Sequence, residues 1–312
     1  MRAVPQVGRP SIEMVEVGPR DGLQNEAHLV ATADKLALIA RAIAAGSRRI
    51  EVASFVNPRA VPQMADAEAV CAGLPQRDDV TFIGLVMNRR GAERAIATRR
   101  IDQLGAVAVA TDRFAMTNQG QTSDGSIEVA KDIVALGQSA GLTAQCTIAA
   151  AFGCPFEGEV SEDRVLAMAA ALAEADPVEI ALADTIGVAD PAHVHRLVTR
   201  VIESISPIPV RVHFHNTRGT GLANVWAAVQ AGARVVDASL GGLGGCPFAP
   251  GAAGNVATED VAYMLERAGI ATGLDLASLI ECNRWLAGVM GKQLPAMVAK
   301  ARAFPPHAEM AQ

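Results

Sequence analysis

Two histidines separated by one residue, His213 and His215 in Val-His-Phe-His-Asn, have the type and spacing that most directly suggest chemistry. On an extended strand, residues i and i+2 project from one face, so both imidazoles can reach a single ion. Two polar strand-end residues hydrogen-bonded to their neighbours would give the same pattern. His193-Val194-His195 has identical spacing and serves as a control. It follows Asp190-Pro191, an N-cap and a first-turn proline, and so falls on an expected helix. There the two side chains diverge by about 200° and cannot share an ion.

Asp21 can bring a carboxylate to the strand pair, although an Asp following Gly18-Pro19-Arg20 also suits a turn. Asn255, in Gly254-Asn255-Val256, can lend an amide oxygen or simply tolerate a left-handed loop conformation. Two His, one Asp and one amide oxygen would leave positions open for substrate oxygens. That set suits Mg²⁺ or Mn²⁺ better than Zn²⁺. Cys246 lies among glycines 241, 242, 244, 245 and 251, a setting for a mobile loop carrying an acid–base thiol rather than a core position. Cys71, Cys146, Cys154 and Cys282 read as small packed hydrophobes.

These residues need elements to position them. Strands are expected at 12–17, 49–54, 80–86, 106–110, 143–149, 177–183, 210–215 and 234–238, where short β-branched runs occur. Amphipathic Ala-rich stretches lie between them. Thr32 precedes one at 33–45, with Gly46 as its stop, and Ser161 opens another. Further helices are expected near 126–139, 221–232 and 258–268. Alternation of this kind implies parallel strands, and eight units in about 260 residues imply an α/β fold, a (β/α)8 TIM barrel. Gly18-Pro19-Arg20-Asp21-Gly22 is not the Gly-x-Gly-x-x-Gly of a doubly wound nucleotide-binding sheet. The expected organisation is a barrel domain over 1–273 and a helical extension and tail over 274–312. A barrel gathers its catalytic groups at the C-terminal strand ends. Arg20, Asp21, Gln24, Glu51, Asp184, His213, His215, Cys246 and Asn255 therefore form one candidate set.

Composition narrows the function classes. The net charge of −6, without a basic block, argues against a nucleic-acid partner. The pairs Arg48-Arg49, Arg89-Arg90 and Arg99-Arg100 are expected at solvated helix or loop ends. Five scattered cysteines without a Cys-x-x-Cys suggest a reducing compartment rather than a disulfide framework. No apolar run of about 18 residues marks a membrane span, and residues 1–11 do not read as a signal peptide. A soluble, cytoplasmic protein is expected.

The stretch Val15-Glu16-Val17-Gly18-Pro19-Arg20-Asp21-Gly22-Leu23-Gln24-Asn25-Glu26 resembles the opening signature of 3-hydroxy-3-methylglutaryl-CoA lyases. So does Gly242-Leu243-Gly244-Gly245-Cys246-Pro247-Phe248-Ala249, continuing through Gly254-Asn255-Val256-Ala257-Thr258-Glu259-Asp260. The resemblance runs from about residue 12 to 273. It implies a divalent metal, Mg²⁺ or Mn²⁺, on Asp21, His213, His215 and Asn255. By the same resemblance Arg20 would stabilise an enolate oxygen, Cys246 would be the acid–base residue, and Glu51 would assist near the metal, with Asp184 a secondary catalytic candidate. It further implies an acyl-CoA substrate and a homodimer.

One departure stands out. Strand 7 continues His215-Asn216-Thr217-Arg218-Gly219, where the lyases typically carry Asp, Thr and Tyr after the second His. Losing an acid and gaining Arg218 makes the rim more positive. Gln24, Asn216 and Arg218 are thus substrate-contact candidates, and a related 3-hydroxyacyl-CoA such as citramalyl-CoA is an alternative to 3-hydroxy-3-methylglutaryl-CoA. Two further alternatives are a synthase condensing an acyl-CoA with a keto acid, and an inactive barrel kept as a binding protein. The short chain beyond the barrel weighs against the first, and the complete ligand set against the second.

Overall fold

The computed structural model describes residues 9–245, 254–301 and 304. Its eight strands are β1 (Glu13–Glu16), β2 (Arg49–Ser54), β3 (Thr81–Val86), β4 (Gln103–Val109), β5 (Thr143–Ala149), β6 (Ile180–Asp184), β7 (Val210–Phe214) and β8 (Val235–Ala238). Each pairs in parallel with the next, and β8 closes on β1. The outer helices are α1 (Thr32–Ala44), α2 (Ala67–Gly73), α3 (Arg89–Ala97), α4 (Asp112–Gln119), α5 (Ser123–Ser139), α6 (Glu162–Ala173), α7 (Pro191–Ile205), α8 (Gly221–Ala231), α9 (Thr258–Arg267) and α10 (Leu276–Met290). The eight expected strands are all present, and the barrel is closed rather than open.

Alternation of side chains along each strand divides the barrel into two interiors. Outward residues such as Ile50, Val52, Ile148, Leu182, Val212 and Val236 pack with Leu38, Ile39, Val134, Met168 and Leu197 of the helices in one large core. Burying each such side chain contributes about 1.5–3 kcal/mol, so this layer carries most of the stability. Inside the barrel the apolar cluster is small: Val15, Val17, Ile83 and Val235. Arg49, Glu51, Glu179, Arg211 and Asp237 also point into the lumen, and these charges position the site.

Several boundaries differ from the sequence reading. Strand β4 starts at Gln103 and β6 at Ile180, while α5 begins at Ser123. Thr32 is the first residue of α1, not its cap. Its hydroxyl donates to Asp66 Oδ2 at 2.7 Å, and Ala31 precedes the helix. Asp190 does cap α7, its Oδ1 accepting from the amides of Ala192 and His193. The short helices α2, α3 and α4 carry weaker apolar patterns and went unread.

The arginine pairs require a correction. Arg49 is not at a solvated end. It occupies an inward position at the start of β2, bidentate to Glu179 at 2.6 and 3.1 Å and bonded to Gln103 Oε1 at 3.0 Å. Strand periodicity explains this, because Arg49 shares its face with Glu51. Among the described residues no helix is long and apolar enough to cross a membrane.

Candidate active site

The chain leaves β1 through Glu16, whose buried carboxylate organises the turn that follows. Its Oε1 accepts from the amides of Gly18 and Leu240 at 2.7 and 2.9 Å, and Oε2 accepts from the Thr258 hydroxyl at 2.6 Å. The short helical turn Gly18–Gly22 is thereby tied to the loop after β8 and to the start of α9. Arg20 and Asp21 sit on this turn. Arg20 is nearly buried, and its guanidinium is clamped by two carboxylates: Nε donates to Glu51 Oε1, and Nη1 donates to Asp21 Oδ1 at 2.7 Å. The β2–β3 register shifts between Glu51 and Ala53, a bulge next to the residue that meets Arg20.

Asp21 shares its space with the strand histidines. One ligand atom from each of Asp21, His213 and His215 lies within 4.8 Å of the other two. His213 Nε2 is 3.9 Å from Asp21 Oδ2, and the two imidazole centroids are 5.2 Å apart. Asn255 completes the group. It forms an isolated bridge with His215 and donates its Nδ2 to Asp21 Oδ2 at 2.7 Å and to the Leu243 carbonyl at 3.0 Å. The stems of the loop carrying Cys246 meet beside it. A Cβ on Gly254 would lie 1.8 Å from the Gly244 carbonyl oxygen, and one on Gly244 would lie 2.3 Å from Asn255 Nδ2. Gly244 also has φ +114°, so both stems require glycine. Cys246 itself lies outside the described residues.

The electrostatics fit a bound cation. Burial pushes the Asp21 carboxyl upward, but Arg20, His213 and His215 beside it and the Asn255 hydrogen bond outweigh that, holding it well below the carboxylate range. Burial and the neighbouring His213 bring His215 down to about 4, so its ring is neutral and able to ligate near pH 7. Two buried atoms in the group, His215 Nδ1 and Asn255 Oδ1, have no partner. The lumen holds the carboxylates of Asp21, Glu51, Glu179 and Asp237 against the guanidiniums of Arg20, Arg49 and Arg211. Burial opposes protonation of His213, but Asp237 and Asp21 beside it raise its pKa, so either a proton on that ring or a cation can offset the one remaining negative charge. Orphaned ligand atoms and a mixed N/O set suit a divalent ion.

The other expected site residues are more dispersed. Asp184 is fully buried at the end of β6, raised by that burial, and its two oxygens accept from the amides of Val188 and Ala189. It therefore ties the loop after β6. Gln24 is half-buried, with Oε1 unpartnered. Asn216 Oδ1 accepts from the Gly221 backbone amide at 3.0 Å, and the Asn216 backbone N–H donates to the Gly254 carbonyl at 2.7 Å. Arg218 is exposed and donates to the carbonyls of Ile186 and Gly187 at 2.7 and 3.0 Å, joining the β6 and β7 rims. Cys71, Cys146, Cys154 and Cys282 are buried, as packed thiols should be.

A family model described as HMGL-like matches residues 11–286. The chain belongs to the HMGL-like family. Its relatives include an (R)-citramalyl-CoA lyase of Chloroflexus aurantiacus, 43% identical over 93% of this chain and 95% of that protein. A hydroxymethylglutaryl-CoA lyase of Bacillus subtilis is 39% identical over 91% of this chain and 95% of that protein. Among solved structures, an HMG-CoA lyase from Acinetobacter baumannii in complex with coenzyme A and 3-methylmalate superimposes with a TM-score of 0.90. It is 42% identical, over 95% of this chain and 97% of that one. This member of the HMGL-like family is thus a carbon–carbon lyase on a (β/α)8 barrel. Three charged residues beneath the site, Glu179, Arg211 and Asp237, escaped the sequence reading, and a fourth, Arg49, was placed at a solvated end. Their signal was available as charges at inward positions of otherwise apolar strands.

Proposed function

We propose that this lyase cleaves 3-hydroxy-3-methylglutaryl-CoA to acetyl-CoA and acetoacetate. The observation that carries the reading is the convergence of Asp21, His213, His215 and Asn255 beside a clamped Arg20. A divalent cation, Mg²⁺ or Mn²⁺, held by those four residues would supply Lewis-acid polarisation of the substrate's hydroxyl and carboxylate oxygens. Transfer of the 3-hydroxyl proton to Asp21 or to a water molecule lets the C2–C3 bond break, giving the ketone and the enolate of acetyl-CoA. Arg20, fixed by Glu51 and Asp21, is the cation on hand for the thioester oxygen as that enolate forms. Cys246, on the loop whose glycine stems close against Asn255, delivers the proton to C2. Gln24, Asn216 and Arg218 lie on the loops proposed to meet the acyl-CoA. The working form is proposed to be a cytoplasmic homodimer.

A second acyl group is favoured by two observations: the Asn216 and Arg218 departure, and 43% identity to an (R)-citramalyl-CoA lyase. Citramalyl-CoA carries its carboxylate directly on the hydroxyl-bearing carbon, one methylene closer than in 3-hydroxy-3-methylglutaryl-CoA. The chemistry is unchanged, but pyruvate replaces acetoacetate. Side-by-side assays on the two thioesters, with acetoacetate and pyruvate quantified separately, distinguish them. A higher kcat/KM with acetoacetate release supports the first reading. A higher kcat/KM with pyruvate release replaces it with the second. Turnover of neither contradicts both.

A further inference from the structure

His213 is held by more than its backbone. Its Nδ1 lies 3.0 Å from Asp237 Oδ2, while Asp237 Oδ1 accepts the Nε–H of Arg211. Arg211 Nη1 then reaches Glu179 Oε1 at 3.1 Å. The β7–β8 register pairs His213 directly with Asp237, so the contact is built into the barrel. Arg211 and Asp237 are both buried. His215 differs, because its buried Nδ1 has no partner.

A carboxylate oxygen can satisfy Nδ1 only when Nδ1 carries the proton. In the neutral ring Nε2, which faces Asp21, then keeps its lone pair toward the ion site. We infer that Asp237 is a positioning residue that fixes His213 in its Nδ1–H tautomer, with Arg211 holding the carboxylate so that one oxygen serves the ring. Its consequence for binding rests on the cation-site reading, but the tautomer does not.

Substitution by asparagine discriminates this role from simple packing. In Asp237→Asn the amide oxygen must still meet the Arg211 donor, so the NH₂ group faces the ring. Nδ1 then has to accept, the proton moves to Nε2, and the lone pair is removed from the ion site. Asp237→Ala leaves the ring free to choose either tautomer. The isosteric variant is therefore the more damaging one, the reverse of what a structural role would give.

The test has two arms. Imidazole ¹⁵N shifts of the metal-free protein, labelled at histidine and assigned with His213→Gln, report the tautomer of the neutral ring. Calorimetric Mn²⁺ titration of the wild type, Asp237→Asn and Asp237→Ala, with Asp21→Ala as control, reports affinity. Expected are a protonated Nδ1 in the wild type, an affinity loss of about 10- to 100-fold in Asp237→Ala, and a larger loss in Asp237→Asn. A neutral wild-type His213 protonated at Nε2 instead of Nδ1, or an Asp237→Asn variant binding Mn²⁺ like the wild type, overturns the inference. If wild type and Asp21→Ala bind Mn²⁺ alike, the cation-site reading fails, and the ¹⁵N arm still decides the role of Asp237. That arm needs no substitution at Asp237, so it stands even if an Asp237 variant fails to fold.

Discussion

At the end of β7, a His-x-His pair brings both rings to Asp21 inside the barrel mouth. On α7, a pair of the same spacing separates. His193 packs edge-on against Phe152 at 5.4 Å between centroids, with its Nε2 3.7 Å from Glu162, while His195 is exposed. The backbone period makes the difference: two residues restore the face of a strand, whereas on a helix they turn the side chain almost to the opposite side. Surroundings deepen it. The strand pair has a carboxylate, a side-chain amide and a charged lumen behind it, and the helical pair has one partly exposed glutamate. A motif of two letters thus carries information only once its element is known.

The largest expected effect falls on the strand pair. Asp21→Ala and His213→Ala should each abolish measurable Mn²⁺ binding in a calorimetric titration and lower kcat/KM by about 10³-fold or more, since several kcal/mol of charge stabilisation are lost. Retention of tight Mn²⁺ binding in both variants would erase the contrast with α7.

The next effect concerns the anchor that brings Asp21 to that pair. Burial raises the Glu16 carboxyl from 4.5 to about 7, despite three donors to it. The native state therefore holds a proton that the unfolded chain has already released over that window. Stability from this group is full below pH 4.5 and falls as pH rises to about 7, by about 3 kcal/mol in total. Glutamine retains an oxygen for the Gly18 and Leu240 amides and does not titrate. Urea unfolding at pH 4.5 and 8 should show a smaller pH-dependent loss in Glu16→Gln than in the wild type. Glu259, also raised to about 7 by burial, maintains part of the slope in both proteins. Equal slopes would contradict the assignment.

Much of this was legible beforehand, and what was not has a physical reason. Strand positions followed from short β-branched runs, and α7 from Asp190-Pro191, whose cap bonds are present. That Asp21, His213, His215 and Asn255 gather at one end of the barrel was legible because β/α alternation places strand ends together, while their joint role as a ligand set came from the resemblance to 3-hydroxy-3-methylglutaryl-CoA lyases. Arg49 was misplaced because a charge pair in a sequence looks solvated, while a closed barrel can bury it against Glu179 across the lumen. Asp237 was missed for a related reason. Its meaning depends on register with β7, which no local pattern encodes.

Two smaller effects sharpen the helical side of the comparison. Asp190→Ala removes the cap of the helix carrying His193 and His195, and should cost about 1 kcal/mol in urea unfolding with Mn²⁺ affinity unchanged. His195→Ala, at an exposed position, should alter stability by no more than about 0.5 kcal/mol and leave kcat/KM unchanged. A loss of Mn²⁺ affinity in either variant would give α7 a role in the site that its geometry does not support.

The most direct test of the account is the dependence of acetyl-CoA release on added metal. Chelator-treated, dialysed enzyme is supplied with 3-hydroxy-3-methylglutaryl-CoA or citramalyl-CoA, and Mn²⁺ or Mg²⁺ is titrated in. Release from at least one thioester should rise saturably with metal in the wild type and stay at baseline in Asp21→Ala. Full activity in excess chelator, or equal metal activation of Asp21→Ala, would contradict it.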